Sequence, residues 1–195
     1  MENLIWGLRT IAFSQLENEK GHSHFHIDAV DMQGEDTGCD VYRASCRMKI
    51  IGKSSSAHTI YFVSCDKNGN ATKVHCADGV DRVVTIALTH MDNWKGYNVG
   101  NIYESGKICY KEGSYSSSRT GTCGNHVHIE VAEGEVKTKS YVYIDGKRYW
   151  RFKPSVALKP TDVFFALDGY NRVRSDKLHS VNKDREVTLK WVDRR

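Results

Sequence analysis

The chain has 195 residues, with 28 Lys and Arg against 24 Asp and Glu, a formal net charge of +4 and a pI near 8.7. That length suits one compact domain, or one domain with a short appendage, and is enough to bury a real core, while 27% charged residues argue for a globular protein and against disorder. The mild basic bias favours an anionic surface but is too weak to argue for nucleic acid, and no stacking motif or concentrated basic stripe supports that partner.

In chain order, Met1-Glu2-Asn3-Leu4-Ile5-Trp6 lacks a positive n-region, a long apolar run and a small-residue cleavage site, so the sequence predicts no signal peptide and synthesis in the cytoplasm. No apolar stretch approaches the roughly 18 to 20 residues that span a bilayer, and no membrane insertion is expected. Ile5, Leu8, Ala12 and Leu16 fit one face of a helix, with a strand as the alternative. From residue 27 the pattern turns to β. Two prolines, sixteen glycines and ten tyrosines point to short strands joined by tight turns.

Residues 27–32, 47–51, 59–64 and 82–90 read as successive antiparallel strands, with Asn68-Gly69 and Asp78-Gly79 as turn signals between them. Residues 99–105 and 107–110 read as a further short pair, and a Gly- and Ser-rich loop follows over 113–124. Asp145-Gly146, flanked by Tyr141-Val142-Tyr143-Ile144 and Lys147-Arg148-Tyr149-Trp150, marks a hairpin whose two turn residues need positive φ. Apolar density falls from about residue 166 until 187–192. Residues 1–165 are therefore expected to form the domain and 166–195 an extension with a short strand. The expected fold class is mainly β, a single domain on an antiparallel sheet with long loops and few short helices.

Six cysteines, Cys39, Cys46, Cys65, Cys76, Cys109 and Cys123, contain no Cys-x-x-Cys pair, which counts against a zinc ribbon and a thioredoxin-like site. Buried thiols are the expected state, with Cys65 and Cys76 as the pair best placed to bridge if a disulfide forms. A Cys65, His75, Cys76 zinc site lacks a fourth ligand at finger spacing.

The most informative segment is Asn125-His126-Val127-His128-Ile129-Glu130-Val131. On a strand, residues two apart share a face, so Val127, Ile129 and Val131 would enter a core while His126 and His128 project together. One imidazole can then bind metal and the other handle protons. Two other histidine groups precede it: His22, His24 and His26 beside Asp28 and Asp31, and His90 ending an apolar strand. A catalytic zinc needs about three N or O ligands and an open position for water, and these groups offer them.

The order of these pieces resembles the lysostaphin-type zinc metallopeptidases that cut peptidoglycan, most closely the compact forms of phage and prophage lysins. The resemblance covers roughly residues 20–133. It is carried by Ser23-His24, Ala29-Val30-Asp31-Met32, Ile86-Ala87-Leu88-Thr89-His90, the glycines Gly100, Gly106, Gly113 and Gly124, and His126-Val127-His128-Ile129-Glu130-Val131, with an echo in Lys159-Pro160-Thr161-Asp162. His24 and Asp28 meet the commonest family spacing, but His26 stands where glycine is usual. The longer-spaced variant fits Asp31 better, with Gly34 to Gly38 following and with Val30 and Met32 pointing away into the core.

The resemblance implies Zn2+ held by His24, Asp31 and His128 in a groove ringed by loops, and His90 and His126 as unligated catalytic imidazoles. It also implies bacterial peptidoglycan as the partner and hydrolysis of its stem-peptide or cross-bridge peptide bonds. The protein would then act on the cell wall after release by lysis or as part of a phage particle. Tyr115, loop 113–124 and the aromatic hairpin 141–152 are the expected groove walls. A non-catalytic cell-wall-binding or regulatory relative, or a phage structural component, is the alternative.

Overall fold

A computed structural model of the protein describes residues 1–8, 10–18, 23, 24, 26–33, 41–91, 94–111, 113, 125–167, 172–178, 191 and 192. Among them the chain is mainly antiparallel β-sheet with one short α-helix, Pro160–Val163. Eight strands of the main sheet lie side by side in the order Arg172–Leu178, Thr10–Gln15, Ala29–Gln33, Val127–Glu133, Val84–Thr89, Thr59–Ser64, Met48–Ser54 and Ile102–Tyr103. Ala157–Leu158, the ninth, pairs with Val131 and Ala132. The pairings are antiparallel except between Thr10–Gln15 and Arg172–Leu178, which run parallel.

Period-two alternation sorts the side chains of the central strands into two apolar layers. Ile60, Phe62, Ile86, Leu88, Val127, Ile129 and Val131 enter the larger one with Leu4, Trp6, Val30 and Met32. Tyr61, Val63, Ala87 and Ala132 form the smaller one with Ile51 and Phe152 on the opposite face. Both layers cover Thr59–Ser64 and Val84–Thr89, so every residue of these two strands is buried. A fully buried Ile, Leu or Phe side chain is worth about 1.5–3 kcal/mol, which makes this pair the anchor of the sheet.

The N-terminal segment closes the larger layer from outside. Leu4 N–H donates to the His75 carbonyl at 2.9 Å, Trp6 N–H to the Phe165 carbonyl at 3.0 Å, and Phe165 N–H back to Leu4 at 2.8 Å. The Trp6 ring stacks on Phe164 with centroids 4.4 Å apart.

The structure corrects several expectations from sequence. The early apolar residues do not make a helix: Ile5 forms an isolated bridge to Phe165, and Thr10–Gln15 is a strand. The strand at 27–32, observed as Ala29–Gln33, does not pair with the next strand in sequence but with Thr10–Gln15 and Val127–Glu133. Its alternating pattern fixes which side chains are inside, not which neighbour it takes. Ile102–Tyr103 and Ile108–Lys111 are not a pair, since the first joins Met48–Ser54 and the second joins Val41–Arg43.

Asn68-Gly69 turns the chain only as far as a Cys65–Ala71 bridge, while Asp78-Gly79 lies in a small hairpin of Val74–His75 and Asp81–Arg82. The hairpin of Ser140–Ile144 with Lys147–Arg151 forms as expected, with φ of 50° at Asp145 and 75° at Gly146. Cys46, Cys65, Cys76 and Cys109 are buried free thiols. Cys39 and Cys123 lie outside the described residues.

Candidate metal centre

Strand pairing assembles the site. Val127–Glu133 runs between Ala29–Gln33 and Val84–Thr89, with His128 directly opposite both Asp31 and Thr89. Asp31 and His128 therefore emerge on one face, and their strand neighbours Val30, Met32, Val127 and Ile129 fill the larger core on the other. His24 comes from the turn before Ala29–Gln33. That turn is held by Ile27 N–H donating to the His24 carbonyl at 2.8 Å and Asn18 N–H donating to Ile27 at 3.0 Å.

Three donor atoms converge. His24 Nε2 lies 3.2 Å from Asp31 Oδ1 and 3.1 Å from His128 Nδ1, and the last two atoms are 3.0 Å apart. Ligands about 2.0–2.1 Å from one tetrahedral ion sit roughly 3.3 Å from one another, so these atoms are spaced as one face of a zinc-sized tetrahedron. Two imidazole nitrogens and a carboxylate oxygen are also the donor types of a hydrolytic zinc site. The three residues thus form a potential metal-binding triad.

Asp28 is engaged elsewhere. Its Oδ2 accepts from Arg151 Nη2 at 2.8 Å and its Oδ1 from Asn18 Nδ2 at 2.8 Å. It is Asp31 that meets His24 and His128.

Electrostatics bind the cluster's own groups to one another. Burial would raise the Asp31 carboxyl, but the charges and hydrogen bonds of His24 and His128 outweigh it and hold the group well below the usual carboxylate range. Burial likewise opposes charge on His128. Its hydrogen bonds to Asp31 and Glu130, with their charges, reverse that and lift it to about 9.

His126 and His90 stand beside the triad. His126 Nε2 is 3.7 Å from Asp31 Oδ1, and its ring centroid is 4.5 Å from that of His90. The His90 ring is 5.9 Å from that of His128. Thr89 shares the His128 face and Leu88 the core face, so continued alternation would send His90 into the core. Instead His90 has φ of 78°, a left-handed conformation that breaks the alternation, and its N–H donates to the Ala57 carbonyl at 2.8 Å.

His26 is half-buried and apart from the triad, with its Nε2 3.6 Å from Asp145 Oδ2 and its ring 6.2 Å from Tyr149. Arg151 Nη1 donates to the His26 carbonyl. These contacts tie the 140–151 hairpin to the loop that carries His24. His22, Tyr115 and 114–124 lie outside the described residues.

Two buried residues at the site escaped the sequence reading. Glu130 Oε1 accepts from His128 Nε2 at 3.0 Å and from Lys139 Nζ at 2.6 Å. Glu130 Oε2 accepts from Phe152 N–H at 3.2 Å. Burial would raise the Glu130 carboxyl, yet Lys139 and His128 pull it down to about 2. A signal for Glu130 existed, because a carboxylate two residues after His128 must share its face within an otherwise apolar run. Lys139 follows the strand in irregular chain, where no periodicity applies.

No protein-family model matches the chain, and no curated protein matches it. Among solved structures it is similar to the catalytic domain of the antimicrobial peptidase lysostaphin from Staphylococcus simulans, crystallized in the absence of phosphate. That likeness has 15% identity, covers 76% of this chain and 85% of that chain, and has a TM-score of 0.43.

Proposed function

We propose that the protein is a zinc-dependent endopeptidase that hydrolyses peptide bonds in bacterial peptidoglycan. The observation that carries the reading is the convergence of His24 Nε2, Asp31 Oδ1 and His128 Nδ1 to within 3.0–3.2 Å, with two further imidazoles alongside. Zinc, when bound, would lower the pKa of its water toward about 7 and polarise the scissile carbonyl. His126 and His90 then have the protein's part of the chemistry, orienting or deprotonating the water and stabilising the oxyanion. His24, Asp31 and His128 would hold the ion.

The substrate class is the one implied by the resemblance of the ordered motifs in residues 20–133 to the lysostaphin-type metallopeptidases. The net charge of +4 is consistent with it, since an anionic wall attracts a basic protein. A phage or prophage lysin, acting on the wall after release by lysis, is the biological setting we propose. Residues 1–165 would be its peptidase domain and 166–195 an extension that adds Arg172–Leu178 to the edge of its sheet.

Among the described residues no helix is long and apolar enough to cross a membrane. The test is zinc analysis of the purified protein combined with mass spectrometry of muropeptides released from purified walls. New peptide termini together with about one zinc per chain are expected. Zinc without turnover would point instead to a non-catalytic wall-binding relative, and neither zinc nor turnover would leave the enzyme reading without support.

A further inference from the structure

Glu130 and Lys139 form a buried pair that the proposed hydrolysis does not itself use. Both are almost fully inaccessible, at 2% and 4%, in a region where an unpaired charge would be costly. Every polar atom of the pair has work: one carboxylate oxygen takes both His128 Nε2–H and the Lys139 ammonium, the other takes the Phe152 amide, and Lys139 N–H donates to Tyr61 Oη at 3.3 Å. Strand geometry puts the two within reach, because His128 and Glu130 are consecutive residues on one face of Val127–Glu133.

An imidazole has two nitrogens, and the hydrogen bond made by one decides what the other can do. His128 Nε2 faces Glu130 while His128 Nδ1 faces His24 and Asp31. A carboxylate can only accept, so Glu130 keeps the proton on Nε2, and Nδ1, which faces Asp31, is the nitrogen whose proton a cation would displace to use its lone pair. We infer that Glu130 is a positioning residue for the metal centre, fixing the tautomer and ring angle of His128, and that Lys139 holds the Glu130 carboxylate in place.

His24 contrasts with this. Its Nδ1 is buried with no hydrogen-bond partner among the described residues. Partners of this outer kind typically affect metal affinity by about 10–100-fold.

The inference rests on the proposed zinc reading, and the experiment keeps the two separable. Metal-stripped protein is titrated with Zn2+ against a chromogenic chelator and with Co2+ followed by its visible spectrum, after circular dichroism has verified folding. Glu130→Leu with Lys139→Met removes acceptor and cation together, so no buried charge is stranded. It should bind Zn2+ about 10–100-fold more weakly and alter the Co2+ bands. Glu130→Gln with Lys139→Met restores a neutral acceptor for Nε2–H and should recover affinity to within a few-fold of wild type.

If the leucine variant does not fold, Glu130→Met with Lys139→Met makes the same deletion with a more adaptable side chain. Wild-type affinity in the acceptor-less variant, or equal loss in the glutamine variant, overturns the inference. His128→Ala is the control for the underlying reading: unchanged Zn2+ binding there would remove the metal centre itself, whereas loss there with no effect at Glu130 would remove only the positioning role.

Discussion

Stripped of metal, the protein should be most stable between about pH 4.5 and 6.5, and its stability should fall on both sides for reasons traceable to two side chains. Glu130 is pulled from an ordinary 4.5 to about 2, so its contribution is present above about 4.5 and lost as pH falls toward 2. His128 is lifted from 6.5 to about 9, so its contribution is full below about 6.5 and lost as pH rises through 9. At 1.36 kcal/mol per pKa step, each limb amounts to roughly 3 kcal/mol. The two do not add in full, because the His128–Glu130 contact enters both. Asp31, also held below its ordinary value, steepens the acid limb.

Urea unfolding of chelator-treated protein, followed by tryptophan fluorescence, measures this directly, since Trp6 is completely buried. The buried thiols Cys46 and Cys109, whose ionisation burial opposes, add an alkaline loss of their own near and above pH 9. The His128→Gln difference isolates the histidine part. A metal-free wild type whose stability is flat from pH 6 to 9, or whose alkaline loss persists undiminished in His128→Gln, would refute the electrostatic account.

Asp31→Ala should abolish stoichiometric zinc, whereas Asp28→Ala should keep it and cost only the stability of the Arg151 tie; zinc analysis of both decides which carboxylate is the ligand. His90→Ala and His126→Ala should each lower wall cleavage by about 10²–10⁴ with zinc retained, and zinc loss in either would make that residue a ligand. Gly52→Ala should destabilise by about 1–3 kcal/mol, read by urea unfolding, because a Cβ there would lie 2.3 Å from the Lys137 carbonyl oxygen and the backbone would have to move.

Side-chain direction was legible in the sequence and strand neighbourhood was not. Strict alternation is a local property, so Val127, Ile129 and Val131 could be assigned to the core and His128 to the open face before any partner was known. The same logic set Asp31 between Val30 and Met32. Nothing local says that Ala29–Gln33 should lie against a strand about a hundred residues later.

Arg172–Leu178 is rich in Arg, Ser, Asp and Lys, and no apolar alternation announces its place beside Thr10–Gln15. His90 reaches His126 only through a left-handed residue at the end of its strand, a conformation that a histidine in the sequence does not advertise. Lys139 reaches Glu130 by the path of an irregular segment, for which composition offers no rule.

The hydrogen bonds joining Leu4 to His75 and Phe165, and Trp6 to Phe165, have a kinetic consequence. A chain emerging at about 5–20 residues per second must hold its first apolar residues uncommitted for roughly 10–30 seconds before residue 165 exists to receive them. The residues of the potential triad carry a similar delay, since His24 and His128 are 104 positions apart and Asp31 and His128 are 97 apart. No partial chain ending before residue 128 can complete the triad, so the proposed metallation would be a late event that rewards only a chain whose sheet has already closed. Free zinc during synthesis should therefore do little to speed folding, while zinc supplied after the last strand has docked should slow the reverse reaction and lengthen the life of the native state.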